Sequence, residues 1–163
     1  MIMTIIFLVY TPSYALTNQS AVQKKLVGTW KLVSVTHIQH PSGIESDDYG
    51  LHPIGYLNYS SDGHVMVMMI RADRPKPKEQ NVSPDEAQAL IKSMTGYAGT
   101  YQVKDNKIIH HIEISWNESW TGTKQVRYYK LKGNRLILTM APFNDPVYGK
   151  ISVRLVWEKN III

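Results

Sequence analysis

The side chains best suited to chemistry fall in two neighbouring stretches, KIIHHIEISW (107–116) and TKQVRYYKL (123–131). Both alternate as β-strands do, with successive side chains on opposite faces. In the first, Ile108, His110, Ile112 and Ile114 share the more apolar face, while Ile109, His111, Glu113 and Ser115 share the other. An inward face built of isoleucines puts His110 inside and His111 outside. In the second, Lys124, Val126, Tyr128 and Lys130 oppose Gln125, Arg127, Tyr129 and Leu131. Two lysines assign the first of these faces to solvent, so Arg127 and Tyr129 point inward. A buried Arg demands partners, because an isolated ion is expensive to remove from water. With Tyr101 from the preceding stretch GYAGTYQV (96–103), His110 and Arg127 are expected to form an interior polar cluster.

Two roles fit such a cluster. One is an anchor for the carboxylate, carbonyl or hydroxyl of a small, mostly apolar ligand, the usual construction of a small-molecule site. The other is a self-satisfied hydrogen-bond network that only fills space. An alternative of a different class is an enzyme that isomerises or cyclises an apolar substrate. His110 would be its acid or base, with Arg127 or Tyr101 stabilising oxyanion charge. No catalytic motif demands these residues, so no catalytic residue is assigned. No cofactor is expected either. Adjacent histidines on a strand point apart and His37 and His40 lie on opposite faces, so no metal site is expected. The basic loop IRADRPKPKEQ (70–80) lacks aromatic residues, which argues against a nucleic-acid partner.

The elements that must position the cluster are mostly strands. Leu26–Gln39 alternates and ends at the turn residues Pro41, Ser42 and Gly43. Ile54–Ser60 and His64–Ile70 flank Ser61-Asp62-Gly63 as a hairpin. On the second of these, Met66 and Met68 share a face and are expected to point inward, either as ordinary core or as an adaptable apolar lining that touches a ligand. Ser83, Pro84 and Glu86 form a capping box with Pro at the first helical position, and the helix is expected to end at Gly96. Five further strands are expected at Tyr97–Val103, Lys107–Trp116, Thr123–Leu131, Arg135–Ala141 and Lys150–Trp157. Eight sequential antiparallel strands leave two exposed edges unless the sheet closes. The expected architecture is therefore an all-β, eight-stranded antiparallel up-and-down barrel with one short helix between the third and fourth strands. Gly28 lets the first strand bend across one barrel end, and Trp30 caps that end from inside.

Composition agrees with one globular domain. The chain has 163 residues, 44% of them apolar, and a net charge of +5 with no Cys, which excludes disulfides and thiolate chemistry. The N-terminus carries an uncharged apolar run, Ile2–Tyr10, followed by Ser13 and Ala15 at the spacing of a signal-peptidase site. Residues 1–15 are read as an export signal and 26–158 as the barrel domain, giving a periplasmic or secreted protein. The run is too short for an integral membrane span.

Three stretches carry a family resemblance: GTWKLVSV, PIGYLNYSSDGHVMV and the long GYAGTYQV…IIHHIEISWNESWTGTKQVRYYKLKGNRLIL. Gly28 and Trp30 match the glycine-x-tryptophan of the lipocalin superfamily's first strand. The three stretches together resemble the bacterial and fungal lipocalin-like domain family over about residues 26–157. That resemblance implies an up-and-down barrel whose interior holds a small apolar molecule. It supplies no defined activity and no catalytic motif.

Overall fold

The computed structural model describes residues 21–159. The export-signal reading falls on residues outside that range. Ten strands form one antiparallel sheet: β1 (Gly28–Gln39), β2 (Glu45–Asp47), β3 (Ile54–Tyr59), β4 (His64–Ile70), β5 (Met94–Lys104), β6 (Lys107–Ser115), β7 (Lys124–Lys132), β8 (Arg135–Thr139), β9 (Phe143–Asp145) and β10 (Gly149–Lys159). Eight of them, β1, β3–β8 and β10, pair in sequence order, and β1 also pairs with β10. The sheet is therefore a closed eight-stranded barrel, as expected. β2 and β9 are short additions beside β1 and β10 that the sequence reading did not include.

Closure has two unlike ends. At one, strands join through short turns over 60–63, 105–106 and 133–134. Residues 21–26 are helical beneath this end, and Leu26 is fully buried. Trp30 is buried here too, and its indole N–H donates to the Leu26 carbonyl at 2.8 Å. Gly28 has φ +125°, a conformation that L side chains rarely adopt, and the Lys159 side chain crosses its open face. The Lys159 ammonium lies 5.0 Å from the Trp30 ring centroid and donates to the Lys25 carbonyl at 2.7 Å. At the opposite end the connections are long, over 40–53, 71–93, 116–123 and 140–148.

The helix Pro84–Lys92 has the expected capping box, with Ser83 and Glu86 exchanging hydrogen bonds. It stops four residues before Gly96. Ser93 ends it, donating from Oγ to the Leu90 carbonyl, while Met94, Thr95 and Gly96 already pair with Ile70, Met69 and Met68. Strand pairing outcompetes the last helical turn, and Gly96 is a strand residue and no cap.

Two facing assignments also change. On β4, Val65, Val67 and Met69 are buried, whereas Met66 and Met68 are each more than half exposed. The methionine pair therefore lies outside the barrel. Its face was misjudged because both faces of this strand are apolar, so alternation carries no polarity signal. On β6, His110 and Ile112 are buried but Ile114 is 66% exposed. The register slips between Ala98–Ile114 and Gly99–Ile112, which leaves Glu113 as the extra residue of a β-bulge. The bulge turns Ile114 outward. Gly99 is where the two backbones approach: a Cβ there would stand 1.9 Å from the His111 carbonyl oxygen.

Candidate functional site

A cavity of about 310 Å³ occupies the barrel interior towards the long-connection end. Its walls are largely apolar, including Leu57, Met69, Leu138, Leu155 and Trp157, with His110 and Arg127 among them. The interior position expected for these two residues is where they lie. His110 is fully buried on β6 and Arg127 is 4% exposed on the adjacent β7.

Both nitrogens of His110 are engaged by tyrosines. The Tyr59 hydroxyl is 2.8 Å from Nε2, and the Tyr97 hydroxyl is 2.8 Å from Nδ1. Burial, and after it the charge of Arg127, holds the imidazole pKa well below its ordinary value, so the ring is neutral. Burial likewise raises both phenols, which stay protonated. With both nitrogens occupied, the ring offers no free nitrogen to a substrate. The linkage sign follows from the depressed pKa. Near neutral pH the folded and unfolded chains bind the same number of protons here. Below about 6.5, the ordinary His value, only the unfolded state takes up the proton. His110 should thus make stability fall on acidification below that pH, by up to about 1.4 kcal/mol per pH unit. Urea titrations between neutral pH and pH about 5 should show a shallower decline in His110→Gln. An unchanged slope would assign the acid sensitivity to other groups.

Arg127 differs from an ordinary buried cation. Among the described residues no carboxylate lies within salt-bridge distance of it. Its Nη1 donates to the Val126 carbonyl at 3.1 Å and, weakly, to the Gln125 Oε1 at 3.4 Å. The guanidinium also stands beside the Tyr97 hydroxyl, where its charge pulls that phenol down against the larger effect of burial. Trp157 borders the same cavity, and its indole N–H is buried with no partner among the described residues.

The other expected ligand contacts lie elsewhere. Tyr101 is buried, but its hydroxyl donates to the Ser60 carbonyl at 3.2 Å, at the plugged end, and its ring packs on Tyr59 at 4.6 Å. Tyr129 donates to the Asp105 carbonyl at 3.2 Å, also at that end. Both inward assignments ignored height along the barrel axis, which alternation does not encode. Met66 and Met68 line a separate groove of about 530 Å³ on the outside of β3–β6. That groove has no charged side chain in its lining.

Sequence reasoning missed Tyr59 and Tyr97 as partners of His110. The available signal was that alternation places Tyr59 with Leu57 and Tyr97 with Tyr101, and a buried phenol needs a hydrogen-bond partner. It also missed a cluster among the long connections. There Asp48 is 3.7 Å from His37 Nε2, accepts from Tyr148 at 3.3 Å and pairs with Arg71 at 3.4 Å. His37 and Asp48 border the cavity from this side. Arg71, from the basic loop, pairs with Asp48 and Asp73. No group of three or more metal-ligating side chains occurs among the described residues. No helix among them is long and apolar enough to cross a membrane.

A family model described as a lipocalin-like domain matches residues 27–160. No curated protein matches the chain.

Proposed function

The chain belongs to the lipocalin-like domain family, and on that premise we propose that it binds a small apolar carboxylate inside its barrel, with Arg127 as the anchor. The observation that carries this reading is a buried guanidinium that borders an apolar cavity and has no acidic partner among the described residues. Leaving a charge so placed is costly unless something neutralises it. A ligand carboxylate would do so through charge-assisted hydrogen bonds in a site where water screens little. The cavity is at the small end of the usual range for ligand pockets, which favours a compact chain or ring system over a large lipid. Catalysis by His110 gains no support from a neutral ring with both nitrogens bonded to tyrosines. Export is part of the proposal and rests on the apolar leader with its small-residue cleavage pattern. N-terminal sequencing of protein recovered from outside the cytoplasm checks it.

The binding test is a fluorescence titration, since Trp157, Trp116 and Trp120 border the cavity. Medium-chain carboxylates should change the tryptophan emission saturably, and alkanes of equal length should bind more weakly. A flat response to every carboxylate, matched by a ligand-free native mass spectrum of freshly purified protein, would refute the proposal.

A further inference from the structure

We propose that Tyr97 is a second anchor for the carboxylate held by Arg127, because its hydroxyl proton is left without an acceptor beside the cavity. This rests on the binding reading above and adds a residue and a selectivity to it.

The argument follows the protons. A neutral imidazole has one N–H and one lone-pair nitrogen. Tyr59 is fully buried, and its hydroxyl has a single partner among the described residues, His110 Nε2. If Tyr59 accepted from Nε2–H, its own proton would be a buried donor without an acceptor. Buried orphan donors are rarer and costlier than unused lone pairs. Tyr59 therefore donates, and Nε2 is the lone-pair nitrogen. The ring proton then sits on Nδ1, which donates to the Tyr97 oxygen at 2.8 Å. Among the described residues, the other polar side chain acting on that oxygen is Arg127, which has five N–H donors and no acceptor. The Tyr97 hydroxyl proton is thus left over, on a residue that borders the cavity.

Trp157 adds a third donor without a partner, and an indole N–H cannot accept. The other groups bordering the cavity that could accept, Asp48, Asp145 and the unpartnered Nδ1 of His37, belong to its long-connection end, and both carboxylates are engaged. Asp48 meets Arg71, His37 and Tyr148, and Asp145 accepts from the backbone N–H groups of Val147 and Tyr148. Three donors on the wall of one cavity suit a group that only accepts. An ionised carboxylate fits, an alcohol fits in part, and an ammonium is rejected.

Two measurements test this. Long-range proton–nitrogen correlation on nitrogen-15-labelled protein reads the His110 tautomer, its signal assigned by its loss in His110→Gln. The Nδ1–H form is expected, and the Nε2–H form would overturn the proton order. Octanoate, octan-1-ol and octylamine are then titrated into the wild type and Tyr97→Phe. Wild type should bind octanoate best and octylamine not measurably, and Tyr97→Phe should weaken octanoate about tenfold, the worth of one hydrogen bond. Octanoate binding that is equal in both proteins, or matched by octylamine, would overturn the role of Tyr97 while leaving cavity binding intact. Failure of all three probes to bind the wild type would overturn both.

Discussion

Gly99→Ala should cost about 3 kcal/mol or more and lower Tm by about 6–12 °C, taking about 2–4 °C per kcal/mol for a chain of this size. The reason is local. A methyl group at this position would sit 1.9 Å from the His111 carbonyl oxygen and 2.9 Å from the Glu113 amide nitrogen. Both atoms are backbone, so no rotamer change relieves the contact, and β5 and β6 must separate at the bulge. The strand pair most affected is the one that holds Tyr97 and His110 at hydrogen-bonding distance. Gly96 on the same strand is the internal control. Its nearest neighbour atom to an added Cβ is a methionine methyl at 3.5 Å, an ordinary contact. Gly96→Ala should stay within about 0.5 kcal/mol of the wild type. Paired thermal melts decide the matter. A Gly99→Ala protein as stable as Gly96→Ala would show that the strands do not approach in this register.

Arg127→Met should produce the opposite signature, with affinity lost and stability kept. Removing one partner of a buried ion pair normally costs about 3–5 kcal/mol, because the other charge is left uncompensated. Arg127 has no carboxylate to orphan among the described residues, and its modest contacts are a carbonyl and an amide oxygen. A methionine of similar length would remove a desolvated charge and keep much of the packing, so the ligand-free protein should be equally stable or slightly more so. Octanoate affinity should fall about 10- to 150-fold, the equivalent of about 1.5–3 kcal/mol for a hydrogen bond to a charged group. Arg127→Lys should fall between, since it keeps the charge and loses the planar fork. Isothermal titration alongside urea denaturation separates the two quantities. A sharp loss of stability with unchanged affinity would make Arg127 part of a structural network instead.

The residues differ in how much of their role was legible in the sequence. Two lysines opposite Arg127, and isoleucines beside His110, were enough to point both side chains inward. Gly28 and Trp30 announced the plugged end, and the capping box at Ser83 and Glu86 fixed the start of the helix. Alternation failed in two physical circumstances. It carries no direction where both faces of a strand are apolar, as at Met66 and Met68. It also breaks where an extra residue enters the ladder, as at Glu113, and Ile114 was misplaced for that reason. Depth along the barrel is a third quantity that period two cannot report. Tyr101 and Tyr129 direct their hydroxyls to the Ser60 and Asp105 carbonyls at the plugged end, and neither borders the cavity beside Arg127. The pairing of His110 with Tyr59 depends on contact across the interior between residues 51 positions apart, which only closure of the sheet determines.

The most direct test is a crystal structure of the protein grown with octanoate. The carboxylate should lie inside the barrel, about 2.7–2.9 Å from the Arg127 guanidinium, the distance of a charge-assisted hydrogen bond. Its alkyl chain should run between Leu138 and Met140 towards the long connections. Octanoate found only in the outer groove beside Met66 and Met68, with the interior unoccupied, would contradict the account.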